Sequence, residues 1–551
     1  MDKYKEFLNT DFSDQLVIDV HCHTFNASDI PVSGFIRDTA LNDYNETIRK
    51  LAPPLVRFLS NILIELSPCA DKENRKLIEN FGKDLVFDET SEPEPIEDKY
   101  LNAVSREIKH LQHKKITSKF IGDSDDSGDI DLLDAINEEI YGRDSSVENK
   151  SIIETPLKGI IKRLIDYIKR ILKSSKKIAK SLFESPGSFG RHVRWAYLLS
   201  KYRYEIIREL RSAYDGKDIA IDLFTPALVD FTYWVKDEPE SSIPAQIILF
   251  DKIIQLFKGQ IHPFVAYDPW REAERGDNPN GSLYWVKKAI EEHGFIGVKL
   301  YPPMGFSPRC NEFHDFSKLQ DKDSSEFGKS LDHALAELFK WCNKEEVPIM
   351  AHCNDSHAPE KNFEERAHPK YWMGPLGNSP KHRKGILDKY PKLRVNLAHF
   401  GGEDDLSEAQ NESWSWFIAK NTEKYKGRLF TDIGYFDGIS KNSDALFNNL
   451  EGIVKKHETL KDSLMFGTDW HMIYREPDHE NYFSDFTEGY FNQFGKDDTL
   501  KFIGSNAQSF LGLYPGEQSW ERIKTFYKNR ELEQPDWMKR IEEFANNKET
   551  K

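Results

Sequence analysis

Eight short β-rich runs, each separated from the next by charged helix-forming sequence, limit the folds open to this chain more than any other feature. They are LVIDVHCHTF (16–25), DIAIDLFTPAL (218–228), IHPFVAYDP (261–269), FIGVKLYPP (295–303), VPIMAHC (347–353), LRVNLAHFGG (393–402), RLFTDIGYF (428–436) and LMFGTDWHM (464–472). Strands that alternate with helices are joined by right-handed crossovers and lie parallel. Eight such units close naturally as a (β/α)8 barrel. The expected fold is therefore α/β, a (β/α)8 TIM barrel, with a large, mainly helical insertion between the first and second strands and a helical C-terminal tail.

The expected divisions are 1–33 for the N-terminal segment and first strand, 34–205 for the charged insertion, 206–515 for the remaining barrel, and 516–551 for the tail. The acidic, Pro-broken stretch DLVFDETSEPEPIED (84–98) reads as a solvated linker inside the insertion. The tail reads as one or two surface helices interrupted at Pro535. A chain of 551 residues with 38% hydrophobic content is large enough for a sizeable core. Its net charge of -16 disfavours nonspecific attraction to nucleic acid or anionic membrane, apart from local basic patches. The start, MDKYKEFLNTDFSD, lacks the apolar core of a secretion signal, and no stretch has the roughly 18 apolar residues of a membrane span. The five scattered cysteines form no close pair. A cytoplasmic protein with reduced thiols is expected.

Strand ends in such a barrel share one mouth, and here they carry ligand-type side chains. The first strand ends in His21 and His23, which point the same way because strand side chains alternate. The fourth carries Lys299, the fifth His352, the sixth His399 and the eighth Asp469. Each alone has a plainer explanation, such as a satisfied polar group or a helix cap. Together they suit a borderline divalent ion, zinc first, with manganese or iron as alternatives.

These motifs resemble the amidohydrolase superfamily: HCH on the first strand, KLYPP on the fourth, AHC on the fifth, AHFGG on the sixth and GTDW on the eighth. FIGSNAQSFLGL (502–513) is similar to the Asn-Ala helix of the branch containing aminocarboxymuconate-semialdehyde decarboxylase and related hydrolases. The resemblance covers 15–33 and about 206–515. It implies that His21, His23, His352 and Asp469 are ligands of a catalytic metal, and that His399 is a second-metal ligand or a catalytic imidazole. It also implies that Asp469 takes a proton from activated water. Lys299 divides two versions of the site. In dihydroorotase, a lysine in a similar KLYP context is carboxylated and bridges two metals, whereas the decarboxylase-like branch usually holds one metal. An unmodified ammonium beside a dication would be repelled, so Lys299 is expected to be carboxylated or shifted in pKa if it faces the metal. One metal is slightly favoured.

Substrate-binding candidates around the mouth are Tyr301, Arg309, His357, Arg366 and Trp470. Arg309 has the bidentate geometry for a carboxylate or phosphate, with a surface salt bridge as the plainer role. For Trp470 simple packing is at least as good a reading.

Two motifs lie in the insertion. DSDDSGDIDLLD (123–134) fits an EF-hand loop with Asp123, Asp125, Ser127 and Asp134 at ligand positions, but it departs from the template at Ser127 and Asp134. Weak calcium binding and a solvated acidic linker are the two readings, and the linker is favoured. Residues 157–184 carry nine Lys or Arg against two acids along one apolar stripe. Packing on the insertion's own core is favoured over contact with membrane or nucleic acid.

The leading expectation is a metal-dependent hydrolase cleaving a C–N or C–O bond of a small polar substrate. A decarboxylase or other lyase could use the same ligands. In a reading of another class, the barrel is a scaffold and residues 34–205 bind a protein partner or make a homo-oligomer.

Overall fold

The computed structural model describes residues 3–9, 12, 14–35, 60–61, 63–80, 195, 198–214 and 219–549, apart from 277, 321–322, 356–360, 377–382, 408–412 and 477. Chain contacts separate two compact units. One comprises 1–25, 203–236 and 241–551; the other comprises 26–202 and 237–240.

Among the described residues, the first unit contains eight strands: β1 (Ile18–Cys22), β2 (Leu223–Pro226), β3 (Phe264–Ala266), β4 (Gly297–Leu300), β5 (Ile349–Asn354), β6 (Val395–Gly401), β7 (Leu429–Asp432) and β8 (Leu464–Met465). Every ladder is parallel; β1 pairs with β2, and β3 to β8 pair in sequence order. Isolated bridges link β2 to the β3 segment through Phe224–Ile261 and Ala227–Phe264. On the other side Cys22 bridges Trp470, and Val20 N–H donates to the Phe466 carbonyl at 3.2 Å. The strands thus follow one another in the cyclic order of a (β/α)8 TIM barrel. They are shorter than the apolar runs that mark them. Consequently His23 and Asp469 lie just beyond their strands, on the turns.

Amphipathic helices such as Ile243–Leu256 and Ser324–Glu345 bury their apolar faces, with Ser242 and Asp323 as N-caps. The segment after β8 is locked by Asn506, whose side-chain amide donates to the carbonyls of Lys461 and Leu464, each at 2.8 Å.

The tail departs from the surface helices expected of it. Helices Gln518–Asn529 and Asp536–Glu549 place Trp520, Ile523, Phe526, Tyr527, Trp537, Met538 and Ile541 in the same core cluster as Leu16, Ile18, Phe264 and Met350. Burying each such side chain is worth about 2–3 kcal/mol. Tyr527 OH lies 3.1 Å from His262 Nε2, and Trp537 Nε1 donates to the Gly259 carbonyl at 2.9 Å. The break at Pro535 folds the second helix back, so charged residues that read as a solvated face cover only the outer side.

In the second unit, Asn26 holds separated segments together: its side-chain amide donates to Pro68 O at 2.9 Å and Lys201 O at 3.0 Å. Ser67 Oγ donates to Leu199 O at 2.7 Å. The calcium-type loop at 123–134 and the basic stretch at 157–184 lie outside the described residues. Among the described residues, no helix is long and apolar enough to cross a membrane.

Candidate metal centre

His21 and His23 leave β1 on one face, as strand alternation requires, and both converge on Asp469. His21 Nε2 is 3.7 Å and His23 Nε2 3.4 Å from Asp469 Oδ1. Their outer nitrogens are held. His21 Nδ1 meets Asp432 Oδ1 at 3.1 Å, and His23 Nδ1 meets the Ala227 carbonyl at 2.8 Å. Because those partners accept hydrogen bonds, each Nδ1 carries the proton and each Nε2 keeps its lone pair. His399 follows the same rule through Gly434 O at 3.0 Å. Its Nε2 lies 3.0 Å from His352 Nδ1, which brings the β5 histidine into the cluster. Two triads, His21–His399–Asp432 and His21–His23–Asp469, have ligand atoms within 4.8 Å of one another.

Close approach and unusual backbone shape the site. A Cβ on Gly467 would stand 2.8 Å from His21 Cβ, and one on Gly434 would stand 2.9 Å from His21 Nδ1. His399 and Phe400 have φ of 71° and 48°, where the β5–β6 register shifts. This bulge re-aims His399 into the cluster. Asp469 at φ 50° and His471 at φ 77° form a second left-handed turn. Such conformations in non-glycine residues cost roughly 1–3 kcal/mol each and concentrate at functional sites.

Burial sets the protonation states. It drives His23 well below the usual imidazole range, with Lys299 and His21 adding to the shift, and pushes His399 to about 3. It raises Asp469, against the pull of His21 and Lys299. Asp432 is also buried, but His21 and its hydrogen bonds hold it well below the carboxylate range. Lys299, whose Nζ is 3.1 Å from His21 Nε2, is pushed by burial down to about 8 while Asp469 and Asp432 oppose the change. Neutral imidazoles with inward lone pairs, plus a carboxylate, are a donor set that fits a divalent cation.

The substrate candidates divide. Tyr301 stacks its ring 4.5 Å from that of His352. Arg309, read as a substrate clamp or, more plainly, as a surface salt bridge, donates to the carbonyls of Tyr371, Lys384 and Gly374. Arg366 likewise donates to Gly305 O and Asp315 O, and its guanidinium lies 4.0 Å from the Phe363 ring. Both arginines brace loops by supplying donors to main-chain carbonyls that are mostly buried or part-buried. Trp470 is fully buried, with its ring 5.0 Å from Tyr474 and 6.4 Å from Tyr214. His357 lies outside the described residues.

Sequence reasoning passed over Asp432 and Asp19, and placed His471 at the mouth only as a residue shaping the pocket. Asp432 ends β7 in RLFTDIGYF, the counterpart of Asp469 in FGTDW. Asp19 shares the face of His21 and His23 by the same two-residue period. His471 is buried with neither ring nitrogen hydrogen-bonded, and its ring sits 4.5 Å from Phe25.

No curated protein matches the chain. Among solved structures, an uncharacterised TIM-barrel protein from Bordetella bronchiseptica is 13% identical with a TM-score of 0.36, over 62% of this chain and 90% of that one. A 5-carboxyvanillate decarboxylase mutant from Novosphingobium aromaticivorans, with bound manganese and 3-methoxy-4-hydroxy-5-nitrobenzoic acid, is 14% identical with a TM-score of 0.31. That match covers 64% of this chain and 94% of the other. The amidohydrolase family model matches residues 275–513, a span that includes Lys299, His352, His399, Asp432 and Asp469. Over that span, the chain is similar to the amidohydrolase family.

Proposed function

We propose that this protein is a metal-dependent hydrolase that cleaves a C–N or C–O bond, such as an amide, cyclic amide or lactone, in a small polar substrate. The observation that carries the reading is the convergence of the His21 and His23 Nε2 atoms on Asp469 Oδ1 with both outer nitrogens anchored. His21, His23, His352 and Asp469 would hold the ion, which we take to be zinc. When bound, it supplies Lewis acidity, polarising the scissile carbonyl and acidifying water. Asp469 then accepts the proton released as water adds to that carbonyl and passes it to the leaving group. Burial, by raising the Asp469 carboxylate, makes it a better proton acceptor. His399, whose Nδ1–H is held by the Gly434 carbonyl, offers its Nε2 lone pair beside His352, as a further ligand or as a catalytic imidazole that accepts a proton. Tyr301 lines the substrate side.

The reading adopted is a single ion. Asp469 and Asp432 are the buried carboxylates that act on the buried Lys299 amine. A second ion would require Lys299 to be carboxylated, which turns its positive charge negative.

Plasma mass spectrometry on untagged, chelator-free protein tests this. The expected result is about one equivalent of metal, lost in Asp469→Ala and kept in Lys299→Ala. Two equivalents, with one lost in Lys299→Ala, would replace the single ion with a carboxylated bridge. No metal after reconstitution with zinc and manganese would overturn the catalytic reading. Release of carbon dioxide from a carboxylate panel without hydrolysis products would change the reaction class to decarboxylation.

A further inference from the structure

We propose that Asp19 and Thr468 form a buried pin that positions the metal ligands, holding His21 and Asp469 at the spacing a cation requires; this rests on the metal-site reading above. Asp19 is fully buried two residues before His21, and three donors point at its carboxylate. Oδ1 accepts from Thr468 N–H at 3.0 Å and His21 N–H at 3.3 Å, and Oδ2 accepts from Thr468 Oγ1–H at 2.7 Å. One carboxylate thus clasps the backbone of a ligand on β1 and the residue preceding a ligand on the β8 turn.

Thr468 relays the clasp. Its Oγ1 accepts from Trp470 N–H at 3.1 Å, closing a turn around Asp469, whose φ is 50°. A hydroxyl that bonds two residues ahead stabilises such a turn. Main-chain bonds then transmit the register: Asp469 N–H donates to His21 O at 2.7 Å and His23 N–H to Trp470 O at 3.0 Å. β1 and the β8 segment have little regular ladder to set their register, because the only strand bridge between them is Cys22–Trp470 among the described residues. The side-chain pin supplies what the short strands lack. Neither Asp19 nor Thr468 is among the ligands, so both act through His21 and Asp469.

The test uses the full chain, stripped of metal and titrated with Co2+ alone, read by visible absorption and by competition with a chromophoric chelator. Wild type is expected to bind with ligand-field bands. Asp19→Asn, which keeps the shape but removes the anion, and Thr468→Val, which removes the hydroxyl, should each weaken binding about 10–100-fold and change the bands. Thr468→Ser keeps the hydroxyl and should restore both affinity and spectrum. Wild-type affinity and spectrum in Thr468→Val and Asp19→Asn would overturn the pin, as would a Thr468→Ser variant as weak as Thr468→Val. Loss of the metal-free fold in Thr468→Val, seen by circular dichroism, would also overturn it by making the contact a general support. A wild type that binds no Co2+ would overturn both the pin and the metal-site reading.

Discussion

Asp432 shows how one side chain can order a site it need not ligate. Its Oδ1 accepts from His21 Nδ1, from His399 N–H at 3.1 Å and from Gly434 N–H at 2.9 Å, while Oδ2 accepts from Asn396 Nδ2 at 2.6 Å. An anion satisfied on both oxygens is well suited to orient His21 and fix its tautomer. Asp432→Asn preserves the shape but offers an amide where His21 needs an acceptor. Metal affinity should fall about 10–100-fold, measured by chelator competition, with little change in the melting temperature of the metal-free protein. An unchanged affinity would mean that the His21 tautomer does not depend on this contact.

At the scale of elements, the tail helices are structural members of the barrel unit. Trp520 is fully buried in the shared core, so Trp520→Ala should cost about 3–5 kcal/mol in urea unfolding. A cost under about 1 kcal/mol would return the tail to the surface. Its joint with the strands at His262 also carries a pH signature. Burial lowers the His262 pKa from 6.5 to about 4, against the Gly294 carbonyl, which favours the proton. The unfolded chain therefore binds more protons between those values. The contribution is complete above about pH 6.5, declines as pH falls and is lost by about pH 4, up to roughly 3 kcal/mol in all. Comparing urea unfolding at pH 7 and pH 5, the stability gap between wild type and His262→Gln should narrow at the lower pH. A gap that widens would show that His262 is protonated in the folded state.

At the scale of the whole molecule, the chain leaves the barrel unit after Phe25 and re-enters it at Arg203. Within the second unit the two ends meet, since Asn26 bonds directly to the Lys201 carbonyl. Replacing residues 27–200 by a short Gly-Ser linker should therefore close the barrel unit without stretching it. The shortened protein should retain the wild-type metal stoichiometry. Loss of metal binding with a folded circular dichroism spectrum would assign the second unit a direct part in the site.

The eight-fold alternation of strand and helix, and the strand-end positions of His21, His23, Lys299, His352, His399 and Asp469, are legible in the sequence because local periodicity and spacing encode them. The two-residue period also places Asp19 beside His21 and His23, although its partner Thr468 lies 449 positions away. Tertiary structure decided the rest. Arg309 and Arg366 became loop braces because distant carbonyls claimed their donors. Likewise, the charged tail helices joined the core because their apolar stripes met one already made by the strands. His399 reached the cluster through left-handed backbone at a bulge, a conformation that its own residue type disfavours. Sequence periodicity is a short-range record of which face a side chain occupies. Which donor meets which acceptor depends on segments hundreds of residues apart, and only the folded chain brings them together.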